Sequence, residues 1–528
     1  MGDTPRSNPA LIEIESGLLS GTCQHNGTRA FLGVPYAAPP VRELRWRPPQ
    51  PLSPWSGVRP AHEFGASCIQ PHPPTNSIFY GGETEFSEDC LFLNVWTGSE
   101  SSQGRPVLVW LHYGAFLFGS GSSPLHNGSN LAARGITVVT VNYRLGRFGN
   151  LAHPELSAES EHQTSGNYGI MDQIAALKWV QRNIAAFGGD PNNVTIGGVS
   201  AGGASVHILR ASPLAKGLFS KAICESGPGV APVIDGPGHL AAYTTLAAAE
   251  KLGGDLADLL GVSSIAELRD VPADKILTVR LPQANGPWKT YIKPGTNSLR
   301  ASDTAYPIVD GYVLPESPLT AFLSIAGTVS DDGTALPHLQ TLEEYEAFIK
   351  EAFKEHTKEV RHVYPASTDA ETETSTFHLL RHQLFVYPTW TAARLHAKKL
   401  KSPVWYYQFC RKPPIPKDSQ LMEKDFAGAF HLAGVMYAFG LDAWKWNWTD
   451  ADRALSKNIM DAWVRFMSSG SPEEKQNKGD VWPRLKSGED LIRLWSDDGT
   501  SQLSSLDPRA REETAFWDAY YGIEGQIN

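Results

Sequence analysis

Five short stretches of the chain are continuously apolar rather than alternating: "VLVWLH" from Val107, "TVVTVNY" from Thr137, "VTIG" from Val194, "KAICES" from Lys221 and "VWYYQF" from Val404. Strands covered on both faces carry this pattern. Helical periods lie between them. In "GIMDQIAALKWVQRNIAAF", Ile170, Ile174, Leu177, Ile184 and Phe187 recur near every 3.6 residues and leave Lys178 and Arg182 outside. Leu455, Ile459, Trp463 and Phe466 repeat the pattern later. Strand and helix in alternation predict an α/β fold, a large and mostly parallel sheet flanked by helices. Residues 240–380 are helix-rich and loop-rich and read as insertions around a pocket. "ESSQG", "TDAETETST" and "SGSPEEKQNKGD" read as surface loops. Length alone would suggest roughly three or four domains. No credible linker separates Phe31 from Trp482 and no repeat is visible, so one domain over 1–528 is expected.

The stretch "NNVTIGGVSAGGASVHILRAS", Asn192 to Ser212, joins a strand pattern to a helix pattern through Gly198-Val199-Ser200-Ala201-Gly202. Small residues on both sides of a serine let the chain turn sharply, with the hydroxyl outward at the strand's end. In a parallel sheet, ligands bind beyond the carboxyl ends of strands, which is where Ser200 would stand. A serine hydroxyl needs a base to take its proton, and the base needs an acid to orient it. It also needs backbone donors aimed at the developing oxyanion. "VLVWLHYGAFLFGSGSS" offers a strand followed by a loop of small residues. Gly114, Ala115 and the residue after the serine, Ala201, are the candidate donors. With sixteen histidines and many acids, composition leaves the base and the acid open.

Composition narrows the classes. Of 528 residues, 41% are hydrophobic and 19% charged, as expected of a globular protein with a large core. A net charge of −10 and a pI near 5.9 give no electrostatic case for nucleic acid or anionic membrane. No run approaches a membrane span. The polar start, "MGDTPRSNPALIEIESG", has no apolar secretory stretch. Taken as the native start it predicts a cytoplasmic protein; a leader removed from it would predict secretion. Five cysteines are few. Cys68 and Cys90 could close a loop, or remain thiols in a reducing compartment, and Cys224 is expected to pack in a buried strand. His378 and His382 share a helical face but lack a third ligand, so no metal site is expected. Four N-x-S/T sequons decide nothing.

Further stretches carry a resemblance. "FLGVPYAAPPVRELRWRPPQPL", "SEDCLFLNVW", "VNYRLGRFGNL", "GNYGIMDQIAALKWVQRNIAAFGGDPNNVTIGG" and "GLFSKAICESG" resemble the type-B carboxylesterases of the cholinesterase and fungal-lipase family over essentially the whole chain. The resemblance implies an α/β-hydrolase fold and assigns the remaining partners. The family's acid segment, G-T-x-x-D-E-G, is matched by "GTVSDDGT", which puts Asp332 in the acid's place with Asp331 beside it as a turn acid. Its histidine segment, G-x-x-H, is matched by "GAFHLAGVMYAFG", which gives His431. His112, before the oxyanion loop, is expected to be structural, and Trp110, Phe116 and Phe118 to be core or pocket wall.

The chain departs from that family at two positions. Val199 stands where a glutamate usually precedes the serine, so electrostatic support for a protonated histidine is missing there. Tyr113 replaces the first glycine of the oxyanion loop. It would be strained at positive φ, and either narrows the acyl pocket or adds a phenolic donor. Tyr113, Phe116 and Val199 are therefore the substrate-pocket candidates. The loop from Cys68 to Cys90 holds Phe79, Tyr80 and Phe86 but no tryptophan, so choline esters are not expected. No cysteine lies between Cys224 and Cys410, so the second bridge of secreted relatives is absent.

The expected activity is hydrolysis of a small to medium lipophilic ester or lactone through an acyl-enzyme. No cofactor is required, and intracellular fungal relatives suggest a natural-product pathway. Two alternatives remain: acyl transfer or lactonisation through the same acyl-enzyme, and a non-catalytic binding protein.

Overall fold

The computed structural model describes residues 10–72, 77, 79–99, 103–228, 233–234, 243–279, 306–316, 323–335, 339–400, 402–414, 428–441, 447–473, 482–496 and 498–522. Thirteen strands form one sheet: β1 (Ala10–Ile14), β2 (Gly17–Cys23), β3 (Arg29–Pro35), β4 (Val58–Pro60), β5 (Phe92–Thr97), β6 (Arg105–Leu111), β7 (Thr137–Val141), β8 (Gly189–Val199), β9 (Lys221–Glu225), β10 (Leu323–Val329), β11 (Val404–Phe409), β12 (Leu491–Trp495) and β13 (Ser501–Ser505). Their order is β1-β2-β3-β5-β7-β6-β8-β9-β10-β11-β12-β13, with β4 beside β2. From β7 to β12 every neighbouring pair is parallel. All five apolar stretches fall in this block. β7 and β9 are buried at every residue, because helices cover both faces.

Six helices matter for the site: α1 (Tyr168–Asn183), α2 (Ala201–Ala211), α3 (Asp369–Arg381), α4 (Tyr387–Lys399), α5 (Asp450–Ser469) and α6 (Pro508–Tyr520). α1 buries Ile170, Ile174 and Leu177, and α5 buries Leu455, Ile459, Trp463 and Phe466, as their periods predict. Val199, Trp110, Trp405 and the α5 residues share one apolar cluster, while Val109, Ile196 and the α1 residues share another. The sheet is therefore sandwiched between two cores.

Two expectations fail. "TDAETETST" is not a loop: α3 begins at Asp369, where the Thr368 side chain accepts the Glu371 N–H. Acids in the first turn suit the helix dipole, and Phe377, Leu379 and Leu380 bury the face beyond them. Region 240–380 is also more than insertion, since β10 lies inside it and pairs with both β9 and β11. Parts of that region, and most of "ESSQG" and "SGSPEEKQNKGD", lie outside the described residues.

Candidate active site

β8 ends at Val199, and Ser200 takes φ 59° and ψ −123° before α2 starts at Ala201. That conformation is costly for a residue with a Cβ, so the surroundings must hold it. They do so by backbone bonding: Ser200 N–H donates to the Glu225 carbonyl at 3.0 Å, and the Ser200 carbonyl accepts from Ala204 N–H at 2.9 Å. The flanking glycines serve closeness rather than positive φ. A Cβ on Gly202 would lie 2.0 Å from the Leu111 carbonyl oxygen, and one on Gly198 2.4 Å from the Gly202 backbone. Glycine at both positions lets α2 press onto the ends of β6 and β8, with its first N–H groups unspent beside the hydroxyl.

The loop after β6 turns back through Gly114 (φ 117°), Ala115 (φ 53°) and Phe116 (φ 60°). Among the described residues, no turn, loop or cap bond uses the N–H of Gly114, Ala115 or Ala201, so all three donors stay available. His112 braces the loop: it stacks on Tyr143 at 4.3 Å, its Nδ1 lies 2.7 Å from the Tyr113 carbonyl, and its own carbonyl accepts the Tyr143 phenol at 2.9 Å. Burial pushes His112 down to about 4, which suits a structural role. Gln70, which the sequence did not single out, pins the far end by bonding the Gly119 N–H at 2.6 Å and carbonyl at 3.0 Å.

Tyr113 is not at positive φ; the strain lies on Ala115 and Phe116 instead. Its phenol donates to the Phe79 carbonyl at 3.2 Å. Tyr113 and Val199 are buried in one apolar cluster and Phe116 in the other, because their side chains complete the cores on the two faces of the sheet. The partly exposed rings beside this loop are Phe79 and Phe118, 5.9 Å apart.

The acid and the histidine arrive from β10 and from the segment after β11. Asp332, fully buried, accepts the Val329 N–H at 3.1 Å and the Ser226 hydroxyl at 2.9 Å on Oδ2, and its Oδ1 lies 2.8 Å from His431 Nδ1. The neighbouring Asp331 does different work. Its Oδ2 accepts the Ala429 N–H at 2.8 Å while its own N–H donates to the Ala429 carbonyl at 3.0 Å, tying the histidine's segment to the acid's. With Nδ1–H turned to Asp332, His431 presents Nε2 as a base. Among the described residues Nε2 is buried without a hydrogen-bond partner, Ser200 Oγ included.

A line of contacts nevertheless joins all three groups: Ser200 N–H to the carbonyl of Glu225, the next residue's hydroxyl to Asp332, and Asp332 to His431. Glu225 and Ser226 were missed from sequence; the signal available was their position at the end of the strand beside β8. The Glu225 carboxyl is buried and receives the Tyr407 phenol hydrogen. Burial first, and the charge of Asp332 second, push it up to about 8. Behind α2, Cys224 Sγ lies 3.1 Å from His207 Nε2. Burial pushes that thiol up to about 12 and that imidazole down to about 3, so the pair is neutral. Cys224 packs in β9 as expected.

Cys68 and Cys90 are buried and free of any disulfide, and Cys68 Sγ accepts the Leu145 N–H at 3.3 Å. Among the described residues no group of three or more His, Cys, Asp or Glu side chains could hold a metal ion. None of the described helices is long and apolar enough to cross a membrane.

A sequence model of the family described as "Carboxylesterase family" matches residues 8–502. The chain belongs to the carboxylesterase family. This carboxylesterase is 33% identical over 518 residues to the fumonisin B1 esterase of Sphingopyxis macrogoltabida, covering 95% of this chain and 89% of that protein. It is 35% identical over 488 residues to the para-nitrobenzyl esterase of Bacillus subtilis (strain 168), covering 88% and 90%. Among solved structures it is similar to PNB esterase, with a TM-score of 0.77 and 30% identity over 96% of this chain and 99% of that one. The fold is thus an α/β-hydrolase, and the protein is a serine carboxylic ester hydrolase.

Proposed function

We propose that this carboxylesterase cleaves small to medium lipophilic esters or lactones through an acyl-enzyme on Ser200. The observation that carries the assignment is the 2.8 Å contact of His431 Nδ1 with Asp332, tied through Ser226 and Glu225 to a serine in a strained turn. His431 Nε2 takes the hydroxyl proton as Ser200 Oγ attacks the carbonyl carbon. The N–H groups of Gly114, Ala115 and Ala201 hold the oxyanion. The tetrahedral intermediate collapses, and His431 returns the proton to the departing alcohol. Water, deprotonated by His431, then attacks the acyl-enzyme and releases the acid. Asp332 keeps the imidazole in the required tautomer and stabilises its charge. In apo sites the serine–histidine bond is often long and tightens on substrate binding, which accommodates the unpartnered Nε2.

The partly exposed Phe79 and Phe118 beside the oxyanion loop support an apolar substrate. Relatives named for fumonisin B1 and for para-nitrobenzyl esters support the breadth of the class. A panel of p-nitrophenyl esters of increasing acyl length, together with a p-nitrobenzyl ester, tests the proposal with Ser200→Ala as control. A loss on the order of 10⁶-fold in kcat is expected of the variant. An unchanged rate would end the assignment.

A further inference from the structure

α3 and α4 are joined by five residues, His382–Val386, in a π-turn. A turn of this kind inserts one residue into a helix, so it rotates the side chains beyond it by about 100°. The π-turn is gripped by the C-terminal helix. His382 is fully buried with Nδ1 3.0 Å from Glu513 Oε2. Just beyond the turn, the Tyr387 phenol donates to Asp518 Oδ1 at 3.1 Å, and Arg394 holds the same carboxylate at 2.8 Å. Both partners, Glu513 and Asp518, lie in α6.

Three residues after His382, Phe385 sets its ring 4.3 Å from that of His431, the two planes 39° apart. Both side chains are buried. The single bond from Nδ1 to Asp332 fixes one point of the imidazole and leaves its plane free to tilt. An aromatic ring packed against the imidazole at this tilt restricts that motion. Reacting groups need such fixing, since misplacement by about 1 Å costs about 100-fold in rate.

We propose that the π-turn, clamped by the C-terminal helix, is the positioning element of the catalytic histidine, with Phe385 as the positioning residue that aims Nε2 at Ser200. This builds on His431 being the general base proposed above. Phe385 touches neither the ester nor the serine in this role, so its removal slows the chemistry and spares binding.

The test measures kcat, KM and thermal midpoint for Phe385→Leu, Phe385→Tyr and Glu513→Gln on one p-nitrophenyl ester, with Ser200→Ala and His431→Ala alongside. Phe385→Leu is expected to lower kcat about 10- to 100-fold with KM within about twofold. Phe385→Tyr, which restores the flat ring, returns kcat to within about threefold. Should Phe385→Leu not fold, Glu513→Gln, which loosens the clamp from outside the site, carries the same expectation of lowered kcat at unchanged KM. A folded Phe385→Leu enzyme with wild-type kcat, or with a raised KM alone, overturns the proposal while His431→Ala is inactive. An active His431→Ala enzyme would instead overturn the assignment of the base.

Discussion

Glu225 is a buried carboxyl group whose charge is opposed by burial and by Asp332, so Glu225→Gln is the informative replacement. Glutamine keeps the size and leaves an oxygen to accept the Tyr407 phenol hydrogen. Moving a carboxyl from 4.5 to about 8 makes its ionisation about 5 kcal/mol harder in the folded chain than in the unfolded one. The sign follows from proton counts. Below pH 4.5 both states hold the proton; between 4.5 and about 8 only the folded state does; above 8 neither does. Folding stability owed to this group is therefore fully present below 4.5 and lost as pH rises towards 8. Glutamine cannot ionise, so the variant gains on the wild type by about 1.4 kcal/mol per pH unit across that window. Urea unfolding of both proteins at matched pH values from 5 to 9 reads this directly. Near pH 7, Glu225→Gln should also retain kcat, because the native group is already neutral there. Two stability curves running parallel from pH 5 to 9 would show that Glu225 is ionised in the folded protein and refute the reasoning.

Other consequences can be checked more briefly. Asp332→Asn is expected to lower kcat by about 10⁴ with little change in KM. Asp331→Asn, which weakens the bonds its carboxylate accepts from Ala429 N–H and the Ser330 hydroxyl, should instead lower stability by about 1 to 3 kcal/mol, and equal kinetic losses in the two variants would contradict the division of labour. Gly202→Ala would set a methyl 2.0 Å from the Leu111 carbonyl oxygen; loss of titratable serine in otherwise folded protein is the expected result. Arg144 and Asp172 form a buried bidentate pair at 2.7 and 2.8 Å. Arg144→Met is expected to cost about 3 to 5 kcal/mol by denaturant unfolding, since it strands the aspartate.

Five strands of the parallel block were legible, because uninterrupted apolar runs such as that from Val107 have few other readings, but β10, whose LSIAGTV carries serine, glycine and threonine among its apolar residues, was not. The outer antiparallel strands were not singled out. β13, for example, is Ser501–Ser505, whose two serine-rich ends carry no apolar signal. α3 was misread for a related reason: its first two turns are mostly acids and hydroxyl residues, its buried face opens with the polar Thr372, Ser375 and Thr376, and apolar burial begins only at Phe377. The π-turn has no local signature at all. His382 meets Glu513 across 131 residues of chain, and nothing near either residue announces the other.

Ser200 could be found from its own neighbours, since the constraint on it is local: two glycines that allow close approach and one serine that bears the strain. Asp332 could not be separated from Asp331 in that way. Both follow β10 and both are acids, and the Asp331 tie to Ala429 helps bring the histidine within reach of its neighbour. Only the direction in which each side chain leaves the turn distinguishes them, and β9 sets that direction through Ser226. The order of strands β8, β9 and β10 thus does more than support the site. It delivers the serine, the hydroxyl that orients the acid, and the acid itself at three adjacent strand ends, so that register in the sheet becomes geometry at the carbonyl carbon.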